Sequence, residues 1–277
     1  GHYRAVHSHE ANELIMPFEQ QIGKRVPQVL PHDAAEICMA AIREASTSGY
    51  SAGWHYGMQT SNGSKQWFEL SVARKPTEPG EEVRLIAIAR NITERKIAEE
   101  AIQHMAFHDS LTGLPNRRML ADRLQTAVAT CNRYQRHGAL LFLDLDQFKD
   151  INDHHGHEAG DVVLQEVARR LLQSVRGIDT VARLGGDEFV VLIQDLSAQA
   201  DEARIHAAAV GHKILSSLNE PYPIASSDHL VTPSIGATLF DGGAAEPSEI
   251  LKYADSAMYR AKSEGKNRLC FFEKDGA

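Results

Sequence analysis

Cysteine is scarce. Cys38, Cys131 and Cys270 are the only three in 277 residues, and they form neither a metal-ligand spacing nor an even set. That pattern excludes a disulfide scaffold and fits reduced thiols in a cytoplasmic protein. Long apolar runs are lacking as well. None approaches the roughly 18 residues that a membrane span needs, and no signal peptide is present, so we expect no membrane contact within this chain. The chain begins at Gly1 rather than methionine, which leaves room for a membrane or sensor segment upstream. Positive charge is in deficit: 29 lysines and arginines stand against 37 acids, a formal net charge of −8. Non-specific nucleic-acid binding needs the opposite balance, so no nucleic-acid partner is expected. A local basic pocket for a nucleotide stays compatible with that total. Internal repeats and low-complexity segments are also missing.

What is present is ordinary globular material, 43% hydrophobic and 24% charged. At roughly 150 residues per domain, the length suggests two domains. Residues 1–91 read as α+β. Ala35, Ile37, Cys38, Ala41 and Ile42 share a helical face within 33–45. Strand-like runs at 56–60, 66–75 and 83–90 follow, joined by Ser61-Asn62-Gly63-Ser64 and Glu78-Pro79-Gly80-Glu81. Asn-Gly between strands is a hairpin signal, because both residues tolerate positive φ. In the last run Val83, Leu85, Ala87 and Ala89 alternate with Arg84, Ile86, Ile88 and Arg90. The expectation is a three-stranded antiparallel meander behind helices.

Residues 93–107 read as a charged helix capped by Asn91 or Thr93, with Ile97, Ala101 and Met105 in a narrow apolar seam. Such a seam suits a parallel coiled coil between two chains, or packing on its own domain. Beyond it, helices are expected at 118–133, 198–218 and 247–264, with a loop and a helix over 147–174. Strands are expected at 138–144, 180–184, 189–193 and 232–240, the first almost continuously apolar. Strands alternating with helices around one hairpin fit a ferredoxin-like palm, an antiparallel sheet with helices on its faces.

Three segments carry chemistry. In Arg183-Leu184-Gly185-Gly186-Asp187-Glu188-Phe189, two glycines let a hairpin tip approach a ligand, and two acids follow them. In Phe142-Leu143-Asp144-Leu145-Asp146-Gln147-Phe148-Lys149, Asp144 ends a buried strand, where an unpaired carboxylate is costly. Asp144 and Asp187 on neighbouring strand ends would make an oxygen site for Mg²⁺, and Lys149 would supply charge for phosphate. In the stretch Ile151 to Asp161, Asn152 and Asp161 offer the acceptors and donors that a guanine edge requires. Each alone has a bland reading: a solvated turn, a strand end, a polar helix cap. His154, His155 and His157 cluster without a nearby cysteine and read as loop, not as a zinc site.

These segments, with His108-Asp109-Ser110-Leu111-Thr112-Gly113-Leu114-Pro115-Asn116-Arg117-Arg118 before them and Ala254-Asp255 through Gly265-Lys266-Asn267-Arg268 after, resemble the GGDEF diguanylate cyclases over about 165 residues in order. The resemblance implies Mg²⁺ or Mn²⁺ as cofactor, held by Asp144, the Leu145 carbonyl, Asp187 and Glu188. It implies Asp187 as base for the 3′-hydroxyl, with Glu188 and Lys149 as catalytic partners. Asn152, His157 and Asp161 resemble the guanine-reading group, and Lys262 and Lys266 the phosphate-binding cations. Lys266 is arginine in many relatives. Relatives that accept ATP tend to lack an aspartate at the place of Asp161, so GTP selectivity is expected. Arg176-Gly177-Ile178-Asp179 stands at the offset of the family's product-inhibition site, which implies cyclic di-GMP as inhibitor as well as product. Phe148 resembles an aromatic packing residue.

The N-terminal part, ending in Asn91-Ile92-Thr93-Glu94-Arg95, resembles a PAS domain, with residues 1–6 similar to its second strand and the first strand upstream. Its ligand is unknown: His32 and His55 are candidate haem ligands but lone histidines are usually structural, and the flavin-adduct cysteine motif is absent. The reading is an α+β chain: a PAS sensor domain (1–92), a signalling helix (93–107) and a palm-type GGDEF cyclase domain (108–277). It would condense two GTP into cyclic di-GMP as a homodimer. The rival reading is a non-catalytic receptor for GTP or cyclic di-GMP. A phosphodiesterase domain beyond the C-terminal end stays open.

Overall fold

Helix α3 (His32–Ser48) turns Ala34, Ala35, Cys38, Ala41 and Ala45 to one side, the face its 3.6-residue period prescribes. A computed structural model describes residues 1–7, 15–60, 63–78, 81–224, 227–241, 243 and 246–273. It divides into two compact units, Gly1–Ile102 and Gln103–Ala277. In the first, two short helices, α1 (Phe18–Gln21) and α2 (Val26–Val29), precede α3. The small residues of α3 lie against Tyr56, Met58, Phe68, Leu70 and Val72. These come from β1 (Tyr50–Gln59) and β2 (Lys65–Arg74), which pair antiparallel, with β3 (Leu85–Asn91) antiparallel to β2. The meander is as expected, although β1 begins six residues earlier than the strand-like run. Of the two turns, Ser61, Asn62, Pro79 and Gly80 lie outside the described residues.

The alternation in β3 buries neither face: Ile86 is 54% and Ile88 64% exposed. The strand lies at the edge of the sheet order β1-β2-β3, with Leu85 its one residue packed against the core that α3 helps build. Residues 1–6, expected to be strand-like, form no strand, which corrects that expectation. A single bridge links His2 to Arg25, and the Tyr3 N–H donates to the Lys24 carbonyl at 3.0 Å.

Helix α4 (Thr93–Phe107) has the bounds its sequence predicts, and Ile97, Ile102 and Met105 are exposed on it. In the second unit, α5 (Arg117–Tyr134) is capped by Asn116, whose side chain accepts from the N–H groups of Arg118 and Met119. Then follow β4 (Gly138–Leu145), α6 (Phe148–His155), α7 (His157–Ser174), β5 (Thr180–Gly185), β6 (Glu188–Ile193) and α8 (Ala200–Leu218). The hairpin β7 (Tyr222–Ile224) and β8 (Ser227–His229), β9 (Pro233–Phe240), α9 (Pro247–Ser263) and β10 (Leu269–Phe271) complete the chain. Where a loop and a helix were expected over 147–174 there are two helices, because the first part is itself helical and Gly156, at φ 83°, ends α6 before α7 begins. The sequence reading also missed β7, β8 and β10.

The main sheet has the order β10-β9-β4-β6-β5. All its pairs are antiparallel except β10 with β9, so the sheet is mixed rather than purely antiparallel. Strand β4 is central and sandwiched. Ala139, Leu141, Leu143 and Leu145 join a core with α7 and α8 residues such as Val163, Val167 and Ile214, whereas Leu140 and Phe142 join a core with Leu120, Leu124 and Met258 of α5 and α9. A strand covered on both faces reads as a continuous apolar run, which is what the sequence shows.

Candidate active site

Buried β4 delivers Asp144 to the end of the sheet, where the apolar run gives out. Asp144 stands opposite Glu188 of β6 and opposite Ser234 of β9. The β5–β6 hairpin turns at Gly185 (φ 141°) and Gly186 (φ 53°), with a register shift between Arg183 and Gly185. Side chains would be strained at both glycines. Asp187 and Glu188 follow at once, so three carboxylates meet at one sheet end.

Their charges interact. Burial pushes the Asp144 carboxyl above its ordinary range, and repulsion from Asp187 and Glu188 adds to this, against the pull of Lys262. Lys262 Nζ lies 2.6 Å from Asp144 Oδ1. Glu188 has a weaker counter-charge, Arg117, at 3.8 Å. The Asp146 N–H donates to the Thr232 carbonyl, so by strand alternation the Leu145 backbone faces β6. The β4–β6 ladder ends at Asp144 and Glu188, next to that carbonyl. Among the described residues no three histidine, cysteine or acidic side chains form a ready cage for a metal ion. The donor set nevertheless fits Mg²⁺, which takes one or two carboxylates and completes its octahedron with water and substrate phosphates. Asp144, Asp187, Glu188 and the Leu145 carbonyl are the groups that would hold it.

The hairpin tip has a support that the sequence reading missed. Arg183 donates to the Gly186 carbonyl through Nε (3.0 Å) and Nη2 (2.7 Å), and through Nη1 to both oxygens of Asp109 at 2.9 and 3.0 Å. Asp109 also accepts from the N–H and hydroxyl of Thr112. Burial raises its pKa, but the bonds from Thr112 and Arg183 outweigh that and hold the carboxyl below its usual range. Both residues stood in the recognised motifs; only the contact joining them, 74 positions apart, was invisible.

Across the break at Gly156, Asn152 near the end of α6 comes against Gly160, the residue before Asp161 in α7. A Cβ on Gly160 would lie 2.1 Å from Asn152 Oδ1. The Asn152 amide therefore rests against the backbone immediately before Asp161. His157 opens α7 and is exposed, as are Lys149 in the first turn of α6 and Lys266 after α9. His155 and His229 stack edge to face with ring centres 4.4 Å apart.

Arg176 and Asp179 lie elsewhere, at the start of β5, with the Gly185-Gly186 tip at the strand's other end. Six residues at about 3.3 Å each set them roughly 20 Å from it. The Asp179 carboxylate accepts from the backbone N–H groups of Arg176 (2.9 Å) and Gln194 (3.2 Å), while the Arg176 side chain is exposed.

Comparison with known proteins agrees with this geometry. A family model described as "Diguanylate cyclase, GGDEF domain" matches residues 106–268, and a PAS fold model matches 1–97. The bifunctional diguanylate cyclase/cyclic di-GMP phosphodiesterase MucR of Pseudomonas aeruginosa is 44% identical over 176 residues, covering 64% of this chain and 25% of MucR. The diguanylate cyclase TpbB of the same species is 42% identical over 172 residues, covering 61% of this chain and 38% of TpbB. This chain thus spans well under half the length of these curated relatives. Among solved structures, the GGDEF domain of TpbB superposes with a TM-score of 0.56 at 40% identity, over 60% of this chain and 94% of that one. The coiled coil and GGDEF domain of DgcB from Caulobacter crescentus, in complex with c-di-GMP, gives 0.55 at 27% identity, over 65% of this chain and 93% of that one. No helix among the described residues is long and apolar enough to cross a membrane. With its palm-like sheet, its Gly185-Gly186 tip and a family match over more than half its length, the chain belongs to the GGDEF diguanylate cyclase family, with a PAS fold ahead of that domain.

Proposed function

We propose that this chain is a diguanylate cyclase that condenses two GTP into one cyclic di-GMP and two pyrophosphates. The observation that carries the reading is the meeting of Asp144, Asp187 and Glu188 at one sheet end, with Lys262 on Asp144. Asn152 and Asp161 bind the guanine edge. Lys149, Lys262 and Lys266 bind phosphate oxygens. Asp187 accepts the proton of the 3′-hydroxyl, whose oxygen forms a bond to the α-phosphorus of the other GTP as pyrophosphate departs. A divalent cation held there would neutralise developing phosphate charge. The protein's part is positioning and charge complementarity, as in phosphoryl transfer generally. One domain supplies one GTP, so two chains must face each other. Helix α4 and the PAS domain would govern that pairing, and product held at Arg176 and Asp179 would inhibit it.

Chromatography of the products from GTP and Mg²⁺, with ATP as control, tests this. Cyclic di-GMP from GTP alone, lost in Asp187→Ala, is the expected result. A dimeric protein freed of bound cyclic di-GMP that turns over no GTP yet still binds added cyclic di-GMP would establish the receptor reading instead.

A further inference from the structure

Asp146 is buried, 7% exposed, and pairs with no lysine or arginine among the described residues. Its carboxylate is held by three donors. The Ser234 hydroxyl reaches Oδ1 at 2.7 Å, the Thr232 hydroxyl reaches Oδ2 at 2.7 Å, and the Asn267 N–H reaches Oδ2 at 3.1 Å. The last bond crosses 121 positions to the turn after α9. That turn is unusual. Gly265 has φ 117°, and two successive residues with side chains, Lys266 at 64° and Asn267 at 45°, are left-handed. Such backbone persists only where its surroundings impose it. The imposed group is the peptide joining Lys266 to Asn267, which orients the Cα–Cβ bond of Lys266.

From this we infer that Asp146 is a positioning residue for phosphate binding: it fastens the Lys266 turn to the β4 end that carries Asp144 and the Leu145 carbonyl. The inference rests on the reading of Lys266 as a phosphate-binding cation. Metal ligands and phosphate cation then share one anchor, and Asp146 itself touches no substrate. A buried carboxylate is costly, and three convergent donors offset that cost at a single place.

The test is a double-mutant cycle on the full chain, read as KM for GTP and kcat separately. Lys266→Ala should raise KM about tenfold, the scale of one charge-assisted contact. Asp146→Ala should raise KM by a similar factor with kcat changed less. The double variant should be within about twofold of either single one, because both changes remove the same interaction. Asp146→Asn, whose amide oxygen still accepts the Asn267 N–H, should recover most of the loss. If Asp146→Ala does not fold by circular dichroism, Asp146→Ser replaces it; the shorter hydroxyl does not span to Asn267. Multiplying KM effects, or a fall in kcat with KM unchanged, would overturn the positioning role while leaving Lys266 its own. An unchanged KM in Lys266→Ala would instead remove the phosphate role of Lys266 and this inference with it.

Discussion

Gly160 matters for the side chain it lacks. Its missing Cβ is where Asn152 Oδ1 lies, 2.1 Å from the place a methyl would occupy. Gly160→Ala would displace the Asn152 amide. The expected outcome is a KM for GTP raised about tenfold, near the 1.4 kcal/mol of one hydrogen bond to a polar ligand. The preference for GTP over ATP, measured by competition, should fall with it. Asp144 makes a second prediction. Its folded pKa is raised, so its ionised form costs stability. That cost is full above the raised value and disappears as pH falls through the ordinary carboxylate range. Without divalent cation, Asp144→Asn should therefore melt higher than the parent chain at pH 7, with the gap closing on acidification. Equal melting at both pH values would sink this account. Of these residues, Asp144 and Asn152 were legible from their motifs. The need for glycine at 160 was not, since it arises from a helix crossing.

Helix α9 shows the same logic for a whole element. It sits on β9 with its backbone almost touching the sheet: a Cβ on Gly236 would lie 2.0 Å from Met258 N and 2.1 Å from Ala254 O. Backbone cannot yield as a flexible side chain can. Gly236→Ala should destabilise the second unit by about 1–3 kcal/mol or more, the scale of overpacking, visible as a lower melting temperature. Lys262 rides on this helix, so turnover of GTP should fall beyond the loss of folded protein. Elements were legible where burial gave them a period. Strand β4 is apolar up to Asp144 because both faces are covered, and α3, α5 and α9 each carry a buried stripe. Strands β7, β8 and β10 have three residues each, too short to show any period. The split of α6 from α7 depended on the φ of one glycine.

At the scale of the whole molecule, regulation is the open ground. Helix α4 leaves Ile97, Ile102 and Met105 exposed, a surface suited to a second copy of the helix. If two chains build each complete site, specific activity should rise with protein concentration until the dimer is saturated, and a flat dependence would count against it. Arg176 is exposed while Asp179 already holds two backbone N–H groups. Arg176→Ala should leave initial rates alone and prolong linear product formation as cyclic di-GMP accumulates.

The sequence by itself determined the division into two units, the meander, the longer palm strands and which acids, lysines and amides are candidates for the site. These follow from local periodicity and from residue chemistry at fixed spacings, both of which are properties of neighbours along the chain. Only the tertiary structure decided that Lys262 pairs with Asp144, that Arg183 ties the glycine tip to Asp109, that β10 runs parallel to β9, and that β3 stays exposed beyond Leu85. Each of these joins positions far apart in sequence, or depends on what does not pack beside a strand. Contacts of that kind are set by the geometry of packed elements, which no local pattern encodes.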